Sequence, residues 1–200
     1  MGYMHVAETT YRGEPAVVSR SGYTGERGFE VFVPDVLAVS LWKELLSLGE
    51  PMGLRPAGLG ARDTLRLEMG YPLHGQDISP ERTPLEAGLS WAVALGKGDF
   101  LGKQGLVSQK EKGIPARLWG LRMKQPGRIP RAHYAVLASG ERVGETTSGT
   151  FSPTLRIGIA LAYLAPRYRF QAGDEVEIDI RGRRAGAELV RPPFVDSSPK

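Results

Sequence analysis

The sequence predicts an α+β fold, a mixed strand-and-helix module followed by a small antiparallel β-rich module, and three observations predict it. Residues 3–33 read as short strands around glycine turns, and residues 34–70 carry helical periodicity. Beyond Ile114 the chain becomes a series of short β-rich pieces separated by Gly, Pro and Ser. This change of texture places the module boundary near residues 97–116.

The elements follow in order. EPAVVSR (14–20) and FEVFVP (29–34) have strand composition and are joined through SGYTGERG. Pro34 and Asp35 start a helix in which Leu37, Leu41, Leu45 and Leu48 recur at helical spacing beside Trp42, with Gly49 as its stop. PAGLGARDTLRLEMG (56–70) is a second helix, with Ala57, Ala61 and Leu65 as its apolar line and Gly70 at its end. The segment 71–95 has too many turn residues for one element, although Thr83-Pro84-Leu85-Glu86 has the form of a capping box and LSWAVAL (89–95) reads as buried. A short helix is expected from Asp99 to Gly113. Six strands then follow, ARLWGLRM, HYAVLA, ERVGETTSG, IGIALAYL, DEVEIDI and RAGAELV, a spacing that suits a small barrel or a sandwich. Arg181-Gly182 is expected to turn the last hairpin, and the tail VDSSPK to be disordered.

Composition narrows the chemistry. With 200 residues, 41% of them hydrophobic, the chain can bury a core without covalent staples. It contains no cysteine, which excludes disulfides, thiolate zinc sites and a cysteine nucleophile. Its three histidines, His5, His74 and His133, lie far apart with no metal-ligand spacing, so no metal site is expected. No apolar run reaches the length of a membrane span, and MGYMHVAETTYRGE has neither the basic nor the apolar region of a signal peptide, so a cytoplasmic location is expected. The net charge of +4 comes from 26 basic and 22 acidic residues that are interspersed, which argues against nucleic acid as a partner.

Two places offer site chemistry. Alternation puts Glu30 and Phe32 on one face of their strand, and Phe29, Val31 and Val33 on the other. A carboxylate beside an aromatic surface suits a planar heterocycle with two adjacent N–H donors, because both oxygens accept in parallel. An exposed glutamate on an amphipathic strand is the competing reading. Arg62 and Arg66 are four residues apart and share a helix face, able to grip an anion or, with Asp63 and Glu68 nearby, to form an ion-pair network. GYTGERG lacks the phosphate-loop pattern, and TSGTFSPTLRIG gathers hydroxyls without an identifiable nucleophile–base pattern.

Six collinear motifs carry a resemblance that single residues do not: SRSGYTGERGFEVFVP, GLRPAGLGARDTLRLEMGYPLHGQDI, TPLEAGLSWAV, DFLGKQGL, GRIPRAHYAV and TSGTFSPTLRIGIALAYL. Together they closely resemble the aminomethyltransferases of the glycine cleavage system, the T-proteins. The resemblance implies that residues 1–97 are the C-terminal part of the folate-binding region, 98–116 a helix and linker, and 117–195 the C-terminal antiparallel β-barrel. It implies transfer of a one-carbon unit from the aminomethylated lipoyl arm of H-protein to tetrahydrofolate, with release of ammonia. Glu30, ending the YTGExGxE motif, would accept the pterin's 2-amino and N3–H donors, with Tyr23, Arg62, Arg66 and Tyr71 around the same pocket.

Family members carry a sizeable portion before the strand that leads into SGYTGE, including the aspartate placed near folate N5, and nothing in this sequence matches it. The chain is therefore expected to be a fragment without a catalytic residue of its own, inactive alone, binding folate weakly at most, and able to self-associate through apolar surface left exposed. Two other readings stay open: a domain related to folate-dependent demethylases, and a non-catalytic partner-binding module.

Overall fold

The computed structural model describes residues 1–196; of the tail expected to be disordered, residues 197–200 lie outside the described residues. Packing divides the chain into two compact units, Met1–Arg66 and Leu67–Val195.

The first unit is built on a three-stranded antiparallel sheet, β1 (Val6–Tyr11), β2 (Glu14–Ser19) and β3 (Glu30–Phe32), in that order. Arg12 and Gly13 both have positive φ, the conformation whose twist matches a tight hairpin between β1 and β2. The hairpin is tied to α1 (Asp35–Gly49), for the Tyr11 hydroxyl donates to Glu44 Oε2 at 2.5 Å and an Arg12 guanidinium nitrogen lies 3.3 Å from the same oxygen. The Tyr11 hydrogen bond, with Arg12 adding its charge, holds the Glu44 carboxyl below its ordinary value.

Gly49 is the last residue of α1, as expected, although not as a left-handed cap. It keeps right-handed geometry and passes the chain into a short 3₁₀ turn, Glu50–Met52, and Gly53, at φ 85°, ends the run. Glycine at position 49 serves packing instead, since a Cβ there would lie 2.5 Å from the folded-back Leu54 side chain. Along α1, Leu37 and Leu41 are half-buried, while Leu45 and Leu48 of the same line are exposed. Ala16 is the one apolar side chain of this unit that is fully buried.

Helix α2 (Leu59–Glu68) also differs from its expected pattern. Ala57 precedes it and Ala61 is exposed, whereas the consecutive Arg66, Leu67 and Glu68 are buried. Its last turn, rather than a lengthwise stripe, is what packs, because Leu67 joins an apolar cluster with Ile159 and Leu161.

In the second unit, residues 71–102 are turns with a 3₁₀ segment at Ser90–Ala92. LSWAVAL is not buried as expected: Trp91 is 83% exposed. The capping box at Thr83 closes as predicted, the Glu86 N–H donating to Thr83 Oγ1 at 3.2 Å and the Thr83 N–H to Glu86 Oε2 at 3.0 Å, yet no α-helix follows. Helix α3 (Lys103–Lys112) begins four residues after Asp99 because Gly102, at φ 84°, sits in a left-handed conformation that a helix cannot contain.

The remaining strands, β4 (Arg117–Met123), β5 (Ala135–Ala138), β6 (Glu141–Ser152), β7 (Ile157–Leu164), β8 (Glu175–Ile180) and β9 (Arg183–Val190), close into an antiparallel barrel in the order β4-β7-β6-β5-β8-β9. A barrel rather than a sandwich results because β4 pairs with both β7 and β9, leaving no sheet edge. Large inward residues on β4 (Trp119, Leu121, Met123) stand directly beside small partners on the neighbouring strands β7 and β9 (Ala162, Ala160, Ala187), which leaves room for them in the core. Arg181 and Gly182 both take positive φ in the hairpin joining β8 to β9, as expected. Among the described residues, no helix is long and apolar enough to cross a membrane.

Candidate functional site

Glu30 opens β3 opposite Ser19 of β2, at the edge of the small sheet. The intervening turn brings Ser21 back against it, and the Ser21 hydroxyl donates to Glu30 Oε2 at 2.5 Å. Ser19 Oγ lies 2.7 Å from Ser21 Oγ, so a short hydroxyl chain supports the carboxylate. Glu30 is exposed, and Phe32 on the same face is 57% exposed. The charge is thus held in place while remaining hydrated, which avoids the cost of burying it.

Tyr23, in the turn, and Arg62, on α2, also meet, with the guanidinium carbon 4.9 Å from the ring centroid. That is cation–π distance, and it leaves the exposed Arg62 with a fixed direction. Arg66, one turn further along α2, has another environment. It is 2% exposed, and its Nε and Nη2 both donate to Asp63 Oδ1, at 2.8 and 2.7 Å. Arg66 makes the ion pair with Asp63 that this helix face allows. Tyr71 lies in the second unit, half-buried in the loop that follows Gly70.

The first unit therefore holds an anchored carboxylate and, separately, an aromatic–guanidinium pair, groups of the kind that suit an uncharged planar ring bearing paired N–H donors. Ser21, the group that fixes Glu30, is a residue that reading the sequence did not single out. In SRSG only Ser19 is in register with Glu30, and Ser21 stands in the turn beyond it, a position that by itself names no partner.

The second unit has its own polar cluster. Glu86 is buried yet held below the ordinary carboxylate range: burial opposes ionisation, but the Thr83 N–H, the Arg82 guanidinium and Gln109 outweigh it. Arg82 lies 4.3 Å from the centre of the Tyr163 ring. Burial pushes the Tyr163 hydroxyl up to about 12.

Comparison with known proteins is decisive on kinship. Residues 1–97 match the GCVT N-terminal domain, and residues 117–196 match the glycine cleavage T-protein C-terminal barrel domain. The chain belongs to the glycine cleavage T-protein family. Among T-protein relatives, the aminomethyltransferase of Frankia alni is 51% identical over 99% of this chain and 54% of its own length. That of Mycolicibacterium paratuberculosis is 49% identical over 98% of this chain and 53% of its own. A crystal structure of glycine cleavage system aminomethyltransferase T from Bartonella henselae matches with a TM-score of 0.84 at 35% identity, covering 92% of this chain and 50% of that one. The chain thus spans about half the length of the curated relatives it matches.

Proposed function

We propose that this chain supplies the pterin-clamping part of an aminomethyltransferase that takes the aminomethyl group from the lipoyl arm of H-protein, passes its one-carbon unit to tetrahydrofolate and releases ammonia. The observation that carries the reading is the Glu30 carboxylate, solvent-facing, braced by Ser21, and standing last in the YTGExGxE motif characteristic of T-proteins. A pterin presents its 2-amino group and N3–H along one edge, and two carboxylate oxygens accept them in parallel. Ser21 takes one lone pair of Oε2, and each carboxylate oxygen has a second.

The other residues take roles around that contact. Arg62, steered by Tyr23, offers a cation and a flat guanidinium beside the ring, and Arg66, buried against Asp63, supports the helix that carries Arg62; Tyr71, half-buried in the loop after α2, is assigned to folate by its place in the GARDTLRLEMGY motif shared with T-proteins. In the reaction, folate N5 forms a bond to the aminomethyl carbon as the carbon–sulfur bond breaks and the dihydrolipoyl sulfur leaves as a thiolate; folate N10 then bonds to the same carbon as its bond to the amino group breaks, and the two protons shed by N5 and N10 end on the sulfur and on the departing ammonia. The residues of this chain contribute by fixing the far end of the pterin, so that N5 has one position and one orientation. None of them is assigned a proton transfer.

The division into 1–97, 98–116 and 117–195 belongs to the same proposal, supported by the absence of strand pairing between β1–β3 and β4–β9 among the described residues. H-protein as partner, a cytoplasmic setting, and the absence of nucleic-acid or membrane partners complete it. Titration with tetrahydrofolate and with an analogue lacking the 2-amino group tests the reading. The analogue is expected to bind on the order of tenfold or more weakly, the loss of one charge-assisted hydrogen bond. Equal affinity for the two ligands would contradict the role given to Glu30.

A further inference from the structure

The loop carrying Tyr71 is fixed at both ends by buried carboxylates that no part of the reaction uses. Three residues before Tyr71, Glu68 is 3% exposed and accepts hydrogen bonds from Ser152 Oγ at 2.5 Å, from the Thr154 N–H at 3.1 Å and from the Thr154 hydroxyl at 3.0 Å. Six residues after Tyr71, Asp77 is fully buried, and its carboxylate accepts from the Leu73 N–H and Ser148 Oγ, each at 2.8 Å, and from Thr147 Oγ1 at 2.5 Å. The Asp77 carbonyl accepts the Tyr163 hydroxyl at 2.8 Å. Between these anchors Gly70, at φ 67°, runs so close to Pro192 that a Cβ would lie 2.1 Å from the proline's Cβ.

Fixing a surface loop does not require buried carboxylates. Taking such groups out of water is costly, and well-packed apolar residues would hold the same volume at no such cost. What carboxylates add is direction, for each accepts several donors along set lines and so determines where the backbone between them runs. Apart from the Leu73 N–H, the donors to the two carboxylates come from β6 and the turn after it, the hydroxyl-rich TTSGTFSPT stretch, which reaches this loop at Thr147, Ser148, Ser152 and Thr154. We propose that Glu68 and Asp77, gripped by these hydroxyls, are positioning residues that set Tyr71 for tetrahydrofolate. The proposal rests on the reading of Tyr71 as a pocket residue.

Two readouts separate it from a purely structural role. In protein labelled with 3-fluorotyrosine, the ¹⁹F signal of Tyr71, assigned by its loss in Tyr71→Phe, reports the placement of the ring at temperatures well below melting. Asp77→Asn is expected to shift or broaden that signal while leaving Tyr168, which stacks on Phe170 and bonds Glu141, unchanged. The paired replacement Thr147→Val with Ser148→Ala, which removes donors and leaves Asp77 in place, is expected to do the same if Asp77→Asn does not fold. The dissociation constant for tetrahydrofolate is expected to rise on the order of tenfold in these variants and in Tyr71→Ala. An unmoved Tyr71 signal overturns the proposal, as does unchanged affinity in the Asp77 and β6 variants when Tyr71→Ala weakens binding. Unchanged affinity in Tyr71→Ala instead overturns the reading of Tyr71 as a pocket residue.

Discussion

Glu30 and Arg62 show how an exposed residue is given a fixed place without being buried. Each has one neighbour that constrains it, Ser21 by a 2.5 Å hydrogen bond and Tyr23 by a 4.9 Å ring contact, and each keeps its charge in water. An exposed cation–π contact contributes about 0.5–1 kcal/mol, so the pair matters little to folding and much to where the guanidinium points. A double-mutant cycle of Tyr23→Leu with Arg62→Ala, followed by denaturant unfolding, is expected to give a coupling energy in that range. Coupling of about 2 kcal/mol or more would make the pair a structural element instead. Of these residues, Glu30 and Arg62 were singled out in the sequence by the distinctive motifs that carry them, while their residue types alone left each an ordinary alternative, a solvated strand glutamate and an ion-pairing arginine. Ser21 was not, because a serine in a turn has many ordinary reasons to be there.

At the scale of elements, periodicity located strands and helices well and packed faces poorly. All six barrel strands were legible, since turn residues bracket each run and closure needs only consistent alternation. The face of α2 was misread because what packs is its buried last turn, Arg66, Leu67 and Glu68, and hydrogen-bonded charges carry no apolar signal. LSWAVAL was misread because apolar composition alone does not state whether a segment is covered. The contrast between the units is measurable. Leu161→Ala, at a fully buried position, is expected to cost about 2–5 kcal/mol, whereas Leu48→Ala, at a position 65% exposed, is expected to fall within about 0.5 kcal/mol of zero. Glu86 gives the acid limb of stability its sign. Its carboxyl is held below the ordinary value in the folded protein, so its stabilisation is complete above the unfolded pKa and is lost as pH falls through the folded one. Glu86→Gln is therefore expected to lower stability at neutral pH and to flatten its decline on acidification; an unchanged slope in pH-dependent unfolding would contradict that sign.

For the molecule as a whole, apolar material is distributed unequally. The unit Leu67–Val195 contains nearly all the buried hydrophobic residues, while Met1–Arg66 buries Ala16 and exposes Phe29, Phe32, Trp42, Leu45 and Leu48. Apolar patches of this kind favour association. Sedimentation velocity is expected to show concentration-dependent self-association of the protein, reduced by Trp42→Glu; a monomer at every concentration would contradict it. The central claim remains that this chain of the T-protein family holds a pterin through one carboxylate, and the amide replacement Glu30→Gln tests it most directly. The amide keeps the shape but turns an NH₂ donor toward a pterin donor, converting one hydrogen bond into a repulsive contact. In a reconstituted full-length enzyme carrying this chain, isothermal titration with tetrahydrofolate is predicted to show binding weakened by roughly 30- to 1,000-fold in Glu30→Gln at unchanged thermal stability, whereas equal affinity in the two proteins would mean that Glu30 is a solvated strand residue and that the clamp lies elsewhere.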